Sequence, residues 1–177
     1  TFLFVNGAEL KLDQEFFPLN SSANKATEAA VSMALAERNV PWFLDLKDLL
    51  EENKNNPHFD LTDAVKNKAN ASAQKGATAL LVYNSSNIAD NLKFNPKDRS
   101  EAASIPVMYI TPSAHKKYFH DVEATLDIKI RSDIGDKKRA GRNVVGYIDN
   151  GAAYTVVLGA HYDHLGFGED GNSMLRN

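Results

Sequence analysis

The chain has 177 residues, is 43% hydrophobic and carries a formal charge of -3, with a pI near 5.9. That length accommodates one large domain or one domain plus part of another, and the apolar share is enough to bury a core. The mild acidity gives no basis for nucleic acid or an anionic membrane as partner. The lack of cysteine excludes disulfides, thiolate metal sites and cysteine nucleophiles.

No apolar run approaches the roughly 18 residues that span a bilayer. Thr1 to Val5 is too short, and lacks the basic flank, for a signal peptide. The chain is therefore read as a processed or engineered piece of something longer.

In chain order, Phe2 to Val5, Asn6-Gly7 and Glu9 to Leu12 read as strand, turn and strand, because Asn and Gly both tolerate positive φ. Glu15 to Leu19 opens a polar stretch. Val31, Met33 and Leu35 alternate within residues 28–36, which predicts a strand, and Val40 to Leu46 predicts another with Pro41 at its start. Residues 47–57 read as a short helical turn and a loop.

The period then changes. Leu61, Ala64, Val65, Ala69 and Ala73 share one helical face, with Asp60 or Thr62 as cap and Gly76 suited to a left-handed end. Ala77 to Tyr83 is a short buried strand, and residues 84–104 form a long polar loop. Ile105 to Ile110 is a strand, after which Thr111 caps a helix with Pro112 at its first position.

Val122, Ala124, Leu126, Ile128 and Ile130 alternate with polar residues as in a half-buried strand. Two further strands are expected at 143–148 and 153–158, with Asp149-Asn150-Gly151 as the turn. The basic residues Lys137, Lys138, Arg139 and Arg142 read as a solvated hairpin loop. The class is α+β, dividing near residue 121. Residues 1–121 mix strands with two or more helices, and residues 122–177 form an antiparallel meander and a loop.

That meander delivers His161 and, two residues on, Asp163. A neutral imidazole supplies a nitrogen ligand, and a nearby carboxylate either ligates or holds the ring by its other N–H. The bland alternative is a structural or exposed histidine at a strand end. The stretch His161-Tyr-Asp-His164 also matches the end of an H-x-H-x-D-H hydrolase motif, but the leading position holds Gly159, so that reading is rejected. His58, His115 and His120 read as surface residues. Asparagine glycosylation triplets at Asn20, Asn70 and Asn84 are expected by chance in so asparagine-rich a chain.

Asn143 to Ile148, followed by Val156-Val-Leu-Gly-Ala-His-Tyr-Asp-His-Leu-Gly166, resembles the zinc aminopeptidases of metallopeptidase family twenty-eight. That family includes the glutamate carboxypeptidases and transferrin receptor-like members without activity. The resemblance implies that His161 is a zinc ligand, that Asp163 orients it, and that His164 has no metal role. Ala73-Gln-Lys-Gly-Ala77, Leu81-Val-Tyr-Asn84 and Ile105-Pro-Val107 resemble the protease-associated domain that many of these peptidases carry. By this resemblance residues 1–121 are that domain, and residues 122–177 begin an α/β zinc-peptidase domain.

The family places its other zinc ligands and its glutamate base downstream of His-x-Asp. The 177-residue chain alone is therefore expected to be inactive, with zinc absent or weakly held against two ions in the parent. The parent is expected to be a zinc exopeptidase acting on peptides, with the protease-associated domain as a lid or as a substrate- or partner-binding module. The alternative is a non-catalytic interaction module of a receptor-like relative. A periplasmic, cell-envelope or extracellular location follows from the family's habits, and pairing of exposed strands allows a homodimer.

Overall fold

The computed structural model describes residues 1–135, 142–149 and 151–160. Its first element is a hairpin at the expected turn, with a second strand that ends before the expected Leu12. β1 (Phe2–Val5) turns through Asn6 at φ 51° and Gly7 at φ 79° into β2 (Ala8–Glu9). Two successive positive φ values match the right-handed twist of a two-residue hairpin. Asn6 also bonds to β8 (Thr125–Arg131): its amide N–H donates to the Asp127 carbonyl and its Oδ1 accepts from the Asp127 N–H, each at 2.8 Å.

Two four-stranded sheets are built from eight strands among the described residues. The first has the order β2-β1-β8-β4, all antiparallel, with β4 at Ala26–Ser32. The second has the order β3-β7-β6-β5, from Phe16–Pro18, Val107–Ile110, Leu80–Tyr83 and Trp42–Asp45. In it β5, β6 and β7 run parallel, and β3 is antiparallel to β7.

Alternation along the strands explains the layering. Leu126, Ile128 and Ile130 of β8 point one way and are buried, with exposed polar neighbours between them. They join Leu3, Val5 and Val31 and the inward Leu81, Met108 and Ile110 of the second sheet in one core. The opposite side chains of that sheet, Leu80, Val82, Val107 and Tyr109, pack in a second core with Leu50 of α1 (Lys47–Asn53) and Val65 and Ala69 of α2 (Leu61–Lys75). The second sheet is thus covered on both faces, which is why β6 and β7 read as continuous apolar runs.

Local signals end the helices as expected. Asp60 accepts from the Asp63 N–H at the start of α2, and Gly76 closes it at φ 108°. Thr111 caps α3 (Pro112–Tyr118) through the Ala114 N–H. The strand expected over 28–36 lies earlier, at 26–32, and Leu35 is exposed because its pairing with β8 ends at Ser32↔Thr125.

β8 belongs with the strands that precede it in the chain. It lies between β1 and β4 in the compact unit Thr1–Lys137, so both of its edges are already paired. Among the described residues that follow it, none of 142–149 and 151–160 is in a strand. A strand has only two hydrogen-bonding edges, and β8 has none left on which residues 143–148 could extend the sheet. In the second unit, Lys138–Asn177, the side chains of Val144, Val145, Ile148, Val156, Val157 and Leu158 are 83% to 93% exposed. The expected turn survives in part, with Gly151 at φ 68° and its N–H donating to Asp149 Oδ1 at 2.9 Å. No helix among the described residues is long and apolar enough to cross a membrane.

Candidate functional site

His161 and Asp163 lie outside the described residues. Among the described residues no three His, Asp or Glu side chains gather as they would around a metal ion. His58 and His120 are exposed, as expected. His115 is half-buried rather than exposed. Its ring stacks on Tyr83 with centroids 4.1 Å apart and planes 18° apart, and its Nε2 is buried without a hydrogen-bond partner among the described residues.

The stacked pair stands at the C-terminal edge of the three parallel strands. Loops leaving parallel strands gather at that edge, the usual place for a cleft in α/β sheets. β5 ends in Asp45, β6 in Tyr83 followed by Asn84, and β7 is followed by Thr111 and α3. Residues 84–91 form one wall of a cleft of about 630 Å³, and Pro112, His115 and Lys116 form the other.

The loop wall is ordered by its own side chains. Asn84 Nδ2 donates to the Ile88 carbonyl and to Asp90 Oδ2, each at 2.8 Å. The Tyr109 hydroxyl donates to the same Asp90 oxygen at 2.8 Å, and the other oxygen accepts from the Leu92 N–H at 3.0 Å. Ser86 donates its hydroxyl to Asn84 Oδ1 at 2.7 Å. Asp45 ties this loop to β5: Oδ1 accepts from the N–H groups of Lys47 and Ser85, and Oδ2 from the Ser85 hydroxyl.

These surroundings shift the titrating groups. Burial holds the His115 imidazole below the usual histidine value, with Asp45 pulling more weakly the other way. Burial, then Asp45, raises Tyr83, and burial with the Asp90 hydrogen bond raises Tyr109. Both phenols are therefore neutral donors at any physiological pH.

On its far side α3 is held by Glu15. The carboxylate accepts from Lys117 Nζ at 3.0 Å and the Tyr118 hydroxyl at 3.3 Å, and from the Lys11 N–H at 2.9 Å. The Lys11 N–H first and Lys117 second depress its pKa.

Chemically, the cleft presents satisfied acceptors, the Ser85 and Ser86 hydroxyls, one imidazole and the Lys116 side chain. Among the described residues no hydrogen bond links His115 to Ser85 or Asp45. Sequence reading missed the cleft, treating 84–104 as a polar loop. The available signal was a polar residue directly after each parallel strand or closing it: Asp45, Asn84 and Thr111. All three asparagines of the glycosylation triplets have hydrogen-bonded side chains: Asn84 Nδ2 is doubly bonded, Asn20 Nδ2 donates to the Asn95 carbonyl, and Asn70 Oδ1 accepts from the Ser104 N–H and hydroxyl.

No protein-family model matches this sequence, and no curated protein matches it. Among solved structures the chain is similar to an aminopeptidase from Aneurinibacillus sp. strain AM-1, with a TM-score of 0.46 and 13% identity over 73% of this chain. It is also similar to a zinc aminopeptidase from Bacillus subtilis, with a TM-score of 0.41 and 18% identity over 72% of this chain. In both cases the chain spans 29% of the other protein's length. Likenesses at this level do not assign the chain to a family.

Proposed function

We propose that the chain is part of a zinc-dependent exopeptidase that removes single residues from peptides or cleaves small peptides. The observation that carries this reading is the run Val156-Val-Leu-Gly-Ala-His161-Tyr-Asp163, preceded by Gly-Ala and Ile-Pro strand entries in the order expected of a protease-associated domain. The donor chemistry fits zinc, since a neutral imidazole and a carboxylate two residues away suit a ligand and its support. His161 would hold the ion, and Asp163 would accept the other ring N–H, fixing the tautomer. When bound, the metal supplies Lewis acidity toward a peptide carbonyl.

In this reading the protease-associated module is the compact unit Thr1–Lys137, because β8 cannot be removed from its first sheet. The module acts as a lid or as a docking surface for substrate or another protein, and the parent works in the cell envelope or outside the cell.

The test uses the parent protein. His161→Ala abolishes hydrolysis of aminoacyl-nitroanilides and lowers bound zinc, and Asp163→Asn weakens zinc affinity by about 10- to 100-fold. Full activity in the His161→Ala protein rejects the proposal. The separate 177-residue chain shows no peptidase activity and weak zinc binding. Cleavage by that chain, lost on His161→Ala, would overturn the claim of inactivity.

A further inference from the structure

We propose that His115 is a proton-operated latch, which holds α3 against the C-terminal edge of β6 when neutral and frees that side of the helix when protonated. The helix has two unlike attachments. One is the Glu15 anchor, with Ala114 and Phe119 buried in the first core. The other, on the side of the cleft, is the His115 ring on Tyr83, backed by Phe119 with ring centroids 6.3 Å apart.

The latch depends on an atom without a partner. Nε2 of His115 is buried and has no hydrogen-bond partner among the described residues. A neutral imidazole tolerates this, because one ring nitrogen is a bare acceptor of modest desolvation cost. Protonation makes both nitrogens donors and adds a charge, and a buried charged donor without an acceptor is strongly unfavourable. The ring then gains by turning out to water, and the stack is lost.

The charged and titratable groups around the ring set the direction. From β5, Asp45 favours the imidazolium, but less than burial opposes it. From β6, Tyr83 stays neutral across the working range. Asp90 and Lys116 line the same cleft, and Lys117 is engaged by Glu15. With the folded pKa depressed, the latch is fully closed above the ordinary histidine value of about 6.5. It opens as pH falls through the folded value. Because Pro112, His115 and Lys116 form the helix wall of the cleft, release widens it toward the Asn84–Asp90 cluster.

The test is an NMR pH titration of the chain, with a peptide of residues 112–118 as the reference for an unburied ring. His115 titrates below the peptide. Amide exchange over residues 112–118, corrected for its intrinsic pH dependence, rises at least tenfold from pH 7.5 to 5, while exchange in α2 does not. His115→Phe keeps a ring that cannot protonate and removes the rise. A His115 midpoint at or above that of the peptide, or the same rise in His115→Phe, overturns the latch. Should the Phe variant not fold, Tyr83→Leu decides. The latch requires fast α3 exchange already at pH 7.5 and a His115 midpoint raised to that of the peptide. An unchanged midpoint overturns it.

Discussion

Asp90 has both carboxylate oxygens committed, one to Asn84 of its own loop and Tyr109 of β7, the other to the Leu92 N–H. Removing one donor from such a half-buried acceptor costs about 1–3 kcal/mol. Tyr109→Phe is therefore expected to lower the denaturation midpoint by that equivalent, without changing the denaturant slope. Glu15 gives a pH prediction. Its folded pKa is depressed, so the stability it contributes is complete above the ordinary carboxylate value of about 4.3 and is lost as pH falls through the folded value. Glu15→Gln should flatten the acid limb of a stability-against-pH curve, and an unchanged limb would show that other carboxylates govern it. Residues whose roles are local were legible from sequence: Asp60 and Thr111 cap the chain a few positions on. Asp45 was not, since its Ser85 partner lies 40 residues away and neither type announces the other.

At the scale of elements, β8 is the strand whose loss the fold tolerates least. It pairs along all seven residues with β4 and along four with β1. Ile128 is fully buried on its inner face, so Ile128→Ala should cost about 2–5 kcal/mol through lost contacts and a residual cavity. The neighbouring Lys129→Ala should cost no more than about 1 kcal/mol by chemical denaturation, because its 2.9 Å pair with Glu28 is exposed on both sides. Equal costs would mean that the alternation does not decide which face carries the stability. Gly76 closes α2 in the left-handed region, where an added Cβ would also lie 2.9 Å from Arg38 Cγ. Gly76→Ala should thus destabilise by about 1–2 kcal/mol in the same assay. Element types were readable because each period, two or about 3.6, is written locally. Partner choice was not: nothing in the alternation of β8 shows that it lies between β1 and β4.

At the scale of the whole molecule, the compact unit ends at Lys137, and the apolar side chains of 142–158 stand exposed. Limited trypsin treatment is expected to cut after Arg142 before any site within residues 1–131, leaving a folded fragment with the circular dichroism of both sheets and α2. Earlier cleavage inside α2 would contradict the unit's boundary. The amino-acid sequence by itself determined the α+β class, the hairpin at Asn6-Gly7, the helix caps and the faces of α2 and β8, because torsional preference and side-chain periodicity act between near neighbours. It also carried the His161 and Asp163 pattern, as a motif of adjacent residues. Only the tertiary structure decided that β8 fills the gap between β1 and β4. It alone brought Asp45, Asn84, Asp90 and His115 to one sheet edge, since those approaches arise from strand order and burial, which short-range spacing does not encode.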